Sequence, residues 1–206
     1  MTPSPRDLVR TVAIGAFAGL ATCVVYPAIV FIPWEGEPLM AIVLAASMGP
    51  LLGIASWGGR TFLQLDRPRP SADLAALSNA LAGALLTAMF LVQLATQMRT
   101  ERLTREAEAI WLGLDVAWDV YLGLGTLVFA LNAYTHPRLG RVIGAAGILI
   151  AVTLLALNLV TFPVPPGNAG LFDAGPLVGV WYLVMTIQMF RSLDWVRARA
   201  EMLGQG

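Results

Sequence analysis

The sequence predicts an all-α polytopic membrane bundle with six transmembrane helices in a single integral membrane domain, residues 1–206, and three observations lead there. Twenty-four consecutive residues, Thr11 to Trp34, carry no charge, and about 20 such residues let a helix cross a hydrocarbon core roughly 30 Å thick. Hydrophobic residues make up 57% of the chain and charged residues 13%, with a mean hydropathy of +0.72, whereas soluble domains carry about a quarter charged residues. The apolar runs are also of helix length and do not alternate. Because backbone groups in lipid must satisfy one another, such runs specify helices and not a barrel.

Taken in order, the uncharged runs place spans at about 10–32, 38–58, 73–98, 109–134, 142–162 and 172–191. The first hairpin turns through Pro33-Trp34-Glu35-Gly36-Glu37-Pro38, and the last through Pro163-Val164-Pro165-Pro166-Gly167-Asn168, both rich in residues that stop helices. Span two carries Gly49-Pro50 near its middle, where a missing N–H and a ring clash predict a packing kink. Span three ends in Gln93 and Gln97 and runs into alternating charges, in which Glu101 and Arg105, and Arg102 and Glu106, stand four apart. That spacing predicts a helix extending beyond the membrane. Asp173, before Ala174-Gly175-Pro176, is placed to cap span six.

Orientation follows from arginine placement in short loops. With the N-terminus inside, Arg6, Arg10, Arg60, Arg67, Arg69, Arg138, Arg141, Arg191, Arg197 and Arg199 fall on the cytoplasmic side, against Arg99, Arg102 and Arg105 outside. Both termini are therefore expected in the cytoplasm. All 13 basic residues are Arg, a bias of GC-rich genomes, and the expected location is a bacterial plasma (inner) membrane. Small residues four apart, at Gly15 and Gly19, Gly49 and Gly53, and Gly175 and Gly179, permit close helix packing. They serve packing within the chain or a homo-oligomer face.

Composition also removes functions. Zero net charge offers no attraction to nucleic acid. One cysteine, Cys23, and one histidine, His136, build neither an intrachain disulfide nor a multi-histidine metal or bis-histidine haem site, so no metal and no cofactor are expected. Leu20-Ala21-Thr22-Cys23 resembles a lipoprotein cleavage site, but Thr22 stands where a smaller residue is usual and the apolar run continues to Phe31. Cys23 is expected as a small buried filler.

Chemistry concentrates in span four, where Asp115 and Asp119 share a helix face inside a segment that has to cross lipid. Counting about 1.5 Å per residue from an entry near Ala109, they lie roughly 9 Å and 15 Å deep. Charges there cost about 2.5–3.5 kcal/mol each on insertion scales, so such side chains face a bundle interior or a hydrated cavity. Gln93, Gln97, Asn158 and Tyr26 fall in the same leaflet and could line a pocket with them. None is cationic, and Arg99 is the nearest external candidate, so this pocket would be acidic, open outward and suited to a small cation, an amine or a proton. The competing account makes the two aspartates protonated or hydrogen-bonded groups that fix helix register. Trp111 and Trp118 read as packing residues, and His136 as an interfacial residue before Pro137.

From Trp118-Asp119 the chain continues through Gly123, Phe129, His136-Pro137-Arg138-Leu139-Gly140, Gly144, Gly147, Asn158 and Thr161-Phe162-Pro163. This stretch resembles a large family of uncharacterised bacterial membrane proteins with six to seven helices, known by a domain-of-unknown-function label. The resemblance covers about a quarter of the chain, residues 118–163, and implies a fold and a location but no activity. No catalytic residue is expected: an intramembrane aspartyl protease needs carboxylates from two helices, and here both sit on one. The functions left are binding or transport of a small cationic solute or proton, and a structural, accessory or stress-related membrane role.

Overall fold

The computed structural model describes residues 4–31, 38–99, 105–161 and 174–204. They form seven helices and no strand: α1 (Pro5–Phe31), α2 (Pro38–Gln64), α3 (Pro70–Arg99), α4 (Arg105–Tyr134), α5 (Gly140–Thr161), α6 (Gly175–Arg191) and α7 (Leu193–Leu203). Five of them, α1 to α5, are long and apolar enough to cross a membrane. The described part of α6 has 17 residues.

Local chemistry explains where the helices start. Ser4 and Asp7 cap α1 reciprocally: the Asp7 N–H donates to Ser4 Oγ at 3.2 Å, and the Ser4 N–H donates to Asp7 Oδ2 at 3.3 Å. Pro5, Pro38 and Pro70 open α1, α2 and α3, positions where a missing N–H costs nothing. The N-cap of α6 falls on Ala174, which supplies no side-chain hydrogen bond. That is one residue later than the sequence suggests, and Asp173 itself lies outside the described residues, as do both proline-rich loops and Glu101 and Arg102. The turn into α5 passes through Gly140 at φ 78°, a left-handed conformation that glycine adopts without strain.

Helices α2, α3, α4 and α5 pack each against the next, α1 lies along α2, and α6 closes the bundle more loosely between α1 and α5. The α1–α2 contact is backbone to backbone, since a Cβ built on Gly15 would stand 2.4 Å from the Gly58 Cα. Of the small residues picked out by spacing, Gly15, Gly19 and Gly49 abut neighbouring helices of the same chain, whereas Gly53 and Gly179 have nothing within 4 Å. At Gly49-Pro50 the hydroxyl of Thr87 accepts from the Gly49 N–H at 2.8 Å and donates to the Ala45 carbonyl at 3.3 Å. A side chain from α3 thus stands in the hydrogen-bond ladder of α2 one residue before the proline, and supplies partners that the ladder loses there.

Two apolar clusters divide the interior. One, with Val12, Phe62, Phe129 and Val196, occupies the end where the termini meet; the other, with Met48, Leu86, Trp118 and Leu154, occupies the far end. Between them Asn79, fully buried, donates to the Tyr182 hydroxyl at 2.6 Å, and Thr126 lies 3.1 Å from the same oxygen. This tie joins α3, α4 and α6.

Candidate functional site

Asp115 and Asp119 are half-buried, and helical spacing puts both on the side of α4 that carries the buried residues Trp118, Leu122, Thr126 and Phe129. The indole N–H of Trp118 donates to Asp115 Oδ1 at 3.1 Å, so one residue three positions along the same helix holds this carboxylate. The ring of Trp118 lies 6.2 Å from that of Tyr26 on α1, which lies 6.1 Å from Phe90 on α3. Tyr26 is thereby placed beside α4. Asn158 is buried, and its amide N–H donates to the Leu154 carbonyl of its own helix at 3.0 Å. Gln93 is half-buried on α3; Gln97 belongs to α3, and its side chain lies outside the described residues.

Among the described residues a cavity lies elsewhere. It has a volume of about 350 Å³ and runs between α1, α2 and α6, with α3 and α4 contributing its floor. Tyr26 is the one predicted site residue that lines it; Asp115 and Asp119 do not. Its walls come from Met48, Leu52, Leu86, Trp118, Leu122 and Phe129. Polar side chains border it too, but most have spent their hydrogen bonds on the protein. Thr22 donates to the Ala18 carbonyl at 2.9 Å and Ser56 to the Leu52 carbonyl at 2.7 Å, while Tyr182 belongs to the Asn79–Thr126 tie. A cavity whose hydroxyls are committed in this way presents a surface suited to an apolar occupant and poor at holding a hydrated one.

Gly15, Gly19 and Cys23 on α1 and Gly175, Pro176 and Gly179 on α6 line the cavity, and the two helices touch there, with the Cys23 thiol 3.7 Å from the Gly179 carbonyl and Gly19 against Thr186. Toward the far end its lining residues Pro27 and Val30 on α1, and Pro176, Gly179 and Val180 on α6, are exposed, so it opens sideways between these two helices. Glycine and proline in the first turn of α6, together with the four-residue glycine spacing, were the available sequence signals. They read equally well as close packing, and only the tertiary arrangement separates the two.

At the opposite end, a polar cluster comes together. Asp66 pairs with Arg69 at 3.1 Å, Arg69 donates to the Asn132 carbonyl at 2.7 Å, and Ser71 donates to Asn132 Oδ1 at 3.0 Å. Arg199 on α7 donates to the carbonyls of Leu65 and Asp66, each at 2.9 Å. His136, in the turn between α4 and α5, is buried between Phe62 and Trp195, with ring centroids 4.7 Å and 5.3 Å away. The cover comes from α7, a helix the apolar runs did not announce, through Trp195. Its Nδ1 accepts from the Arg138 N–H at 3.2 Å. Burial pushes its pKa down to about 4, with nearby Asp66 opposing the shift.

Among the described residues no group of three His, Cys, Asp or Glu side chains stands close enough to hold a metal ion. No family model, no curated protein and no solved structure matches the chain.

Proposed function

We propose that the protein is a six-span membrane protein, with both termini in the cytoplasm of a bacterial cell, that binds a molecule with an apolar body inside the bilayer and catalyses no reaction. The observation that carries this is the cavity of about 350 Å³ between α1, α2 and α6, apolar in its walls and open sideways. At membrane depth such an opening meets lipid, so the occupant partitions first into the bilayer and then into the protein. The sixth span is α6, whose start joins residues outside those described, and the orientation rests on the ten-to-three arginine split.

The test is thermal stability of the purified protein with a panel of apolar alcohols and organic cations, beside Ala55→Phe, which puts a ring into the cavity wall. A ligand that binds only the folded state at about 100 times its dissociation constant stabilises by about 2.7 kcal/mol. The expected outcome is a rise in melting temperature for the wild type that is lost in the variant. No rise with any compound would count against the proposal.

A small cation or proton held by Asp115 and Asp119 is the second activity proposed, favoured by the placement of both carboxylates on the packed face of α4. Against a purely structural pair it predicts that Asp119→Asn keeps the fold while abolishing stabilisation by cations. A structural pair predicts that Asp119→Asn is nearly silent and Asp119→Leu damaging.

A further inference from the structure

We propose that α7 is an acid-released clasp: it closes the end of the bundle where the termini meet over a neutral His136, and it detaches as a unit when that ring takes up a second proton. The inference concerns this end alone and does not depend on what occupies the cavity. Helix α7 is joined to α6 through the single residue Ser192, whose side chain makes no capping hydrogen bond, and of its 11 residues only Val196 and Ala200 are buried. It packs on α1. Its polar hold is Arg199, which donates to the Leu65 and Asp66 carbonyls just past the end of α2. An element with so little buried apolar surface opens at a lower free energy than the spans do.

The ring under α7 has no place for a further proton. Because Nδ1 of His136 accepts from the Arg138 N–H at 3.2 Å, the neutral ring carries its proton on Nε2. That nitrogen is buried and makes no hydrogen bond. A second proton goes on Nδ1, where the Arg138 N–H already points, and sets a donor against a donor. Around the ring stand Phe62 from α2, Asp66 and Arg69 from the connection to α3, Arg138 from its own turn, and Trp195 from α7, which also brings Arg199 to the Leu65 and Asp66 carbonyls. Burial opposes the charge most strongly; Asp66 and the Phe62 carbonyl favour it, and Arg69 and Arg138 oppose it. The carboxylate of Asp66 is already paired with Arg69 at 3.1 Å, and Asp194 of α7 is paired with Arg197 at the surface. Once α7 leaves, Trp195 no longer shields the imidazole, water reaches it, and the proton is accepted without this conflict.

Hydrogen–deuterium exchange of the full-length protein in phosphatidylcholine nanodiscs, corrected for the intrinsic pH dependence of exchange, reads the release directly. With the ring ordinary at 6.5 when exposed and at about 4 when covered, protection of the α7 amides should fall about 30-fold from pH 7.5 to pH 5.0, while α3 and α4 keep theirs. His136→Gln should leave α7 equally protected at both pH values. Arg199→Gln should lower α7 protection already at pH 7.5 and speed the modification of His136, the sole histidine, by diethyl pyrocarbonate. Unchanged α7 protection in the wild type, or the same fall in His136→Gln, would overturn the proposal. So would a loss shared equally by α3 and α4, which is general unfolding in acid, or an Arg199→Gln protein whose α7 exchanges freely while His136 reacts no faster. Should His136→Gln not fold, the confinement of the wild-type loss to α7 and the modification rates decide.

Discussion

At His136 desolvation decides the charge, and the consequence is a pH dependence with a definite sign. Its folded pKa of about 4 lies below the ordinary value of 6.5, so between these values the unfolded chain binds the proton and the folded chain does not. Stability is therefore complete above about pH 6.5 and falls as the pH drops toward 4, by at most about 3 kcal/mol. Melting curves from pH 7 to 4.5 should show this loss in the wild type and a shallower one in His136→Gln; equal slopes would refute it. Tyr182 offers a second test at the same scale. Tyr182→Phe leaves the buried Asn79 amide without its acceptor and should cost about 1–3 kcal/mol. A melting temperature unchanged by this substitution would show that the tie between α3, α4 and α6 is dispensable.

Between elements, the contact of α1 with α2 is set by glycine, and a matched pair of substitutions isolates it. A Cβ at Gly58 would lie 2.5 Å from the Gly15 Cα, where main chain on both sides cannot give way, whereas Gly53, on the same helix, has nothing within 4 Å. Gly58→Ala should destabilise by about 1–3 kcal/mol through overpacking, and Gly53→Ala should be neutral or slightly stabilising through helix propensity. Equal thermal shifts for the two would contradict the packing described. Which parts of these elements the sequence announced follows from the same physics. Lipid demands uncharged runs, so the cores of α1 to α5 were legible, but the runs stop at the first charge and miss helix that continues past it. Thus α2 extends from the expected end near residue 58 to Gln64, carrying Arg60, which pairs with Asp73 at the start of α3. Helix α7 was missed because Asp194, Arg197 and Arg199 break its apolar pattern, and the carbonyls that Arg199 grips exist as a surface only after α2 and α3 have packed.

For the whole molecule, α1, α2, α3, α4 and α6 enclose a void where α6 meets α1, and that void is the part of the proposed site least visible in the chain. The periodicity of α4 put Asp115 and Asp119 on its packed face, but Trp118, read from the sequence as a packing residue, turns out to hold the Asp115 carboxylate. No periodicity says that helices bearing small residues leave a void between them. The central claim is that this void is apolar and continuous with lipid, and not hydrated. Electron paramagnetic resonance power saturation on a nitroxide attached to the native Cys23 in nanodiscs tests it most directly, with oxygen as the apolar relaxant and a nickel chelate as the aqueous one. The account predicts strong relaxation by oxygen and weak relaxation by the chelate, with the oxygen effect reduced in Ala55→Phe; strong relaxation by the nickel chelate would contradict it.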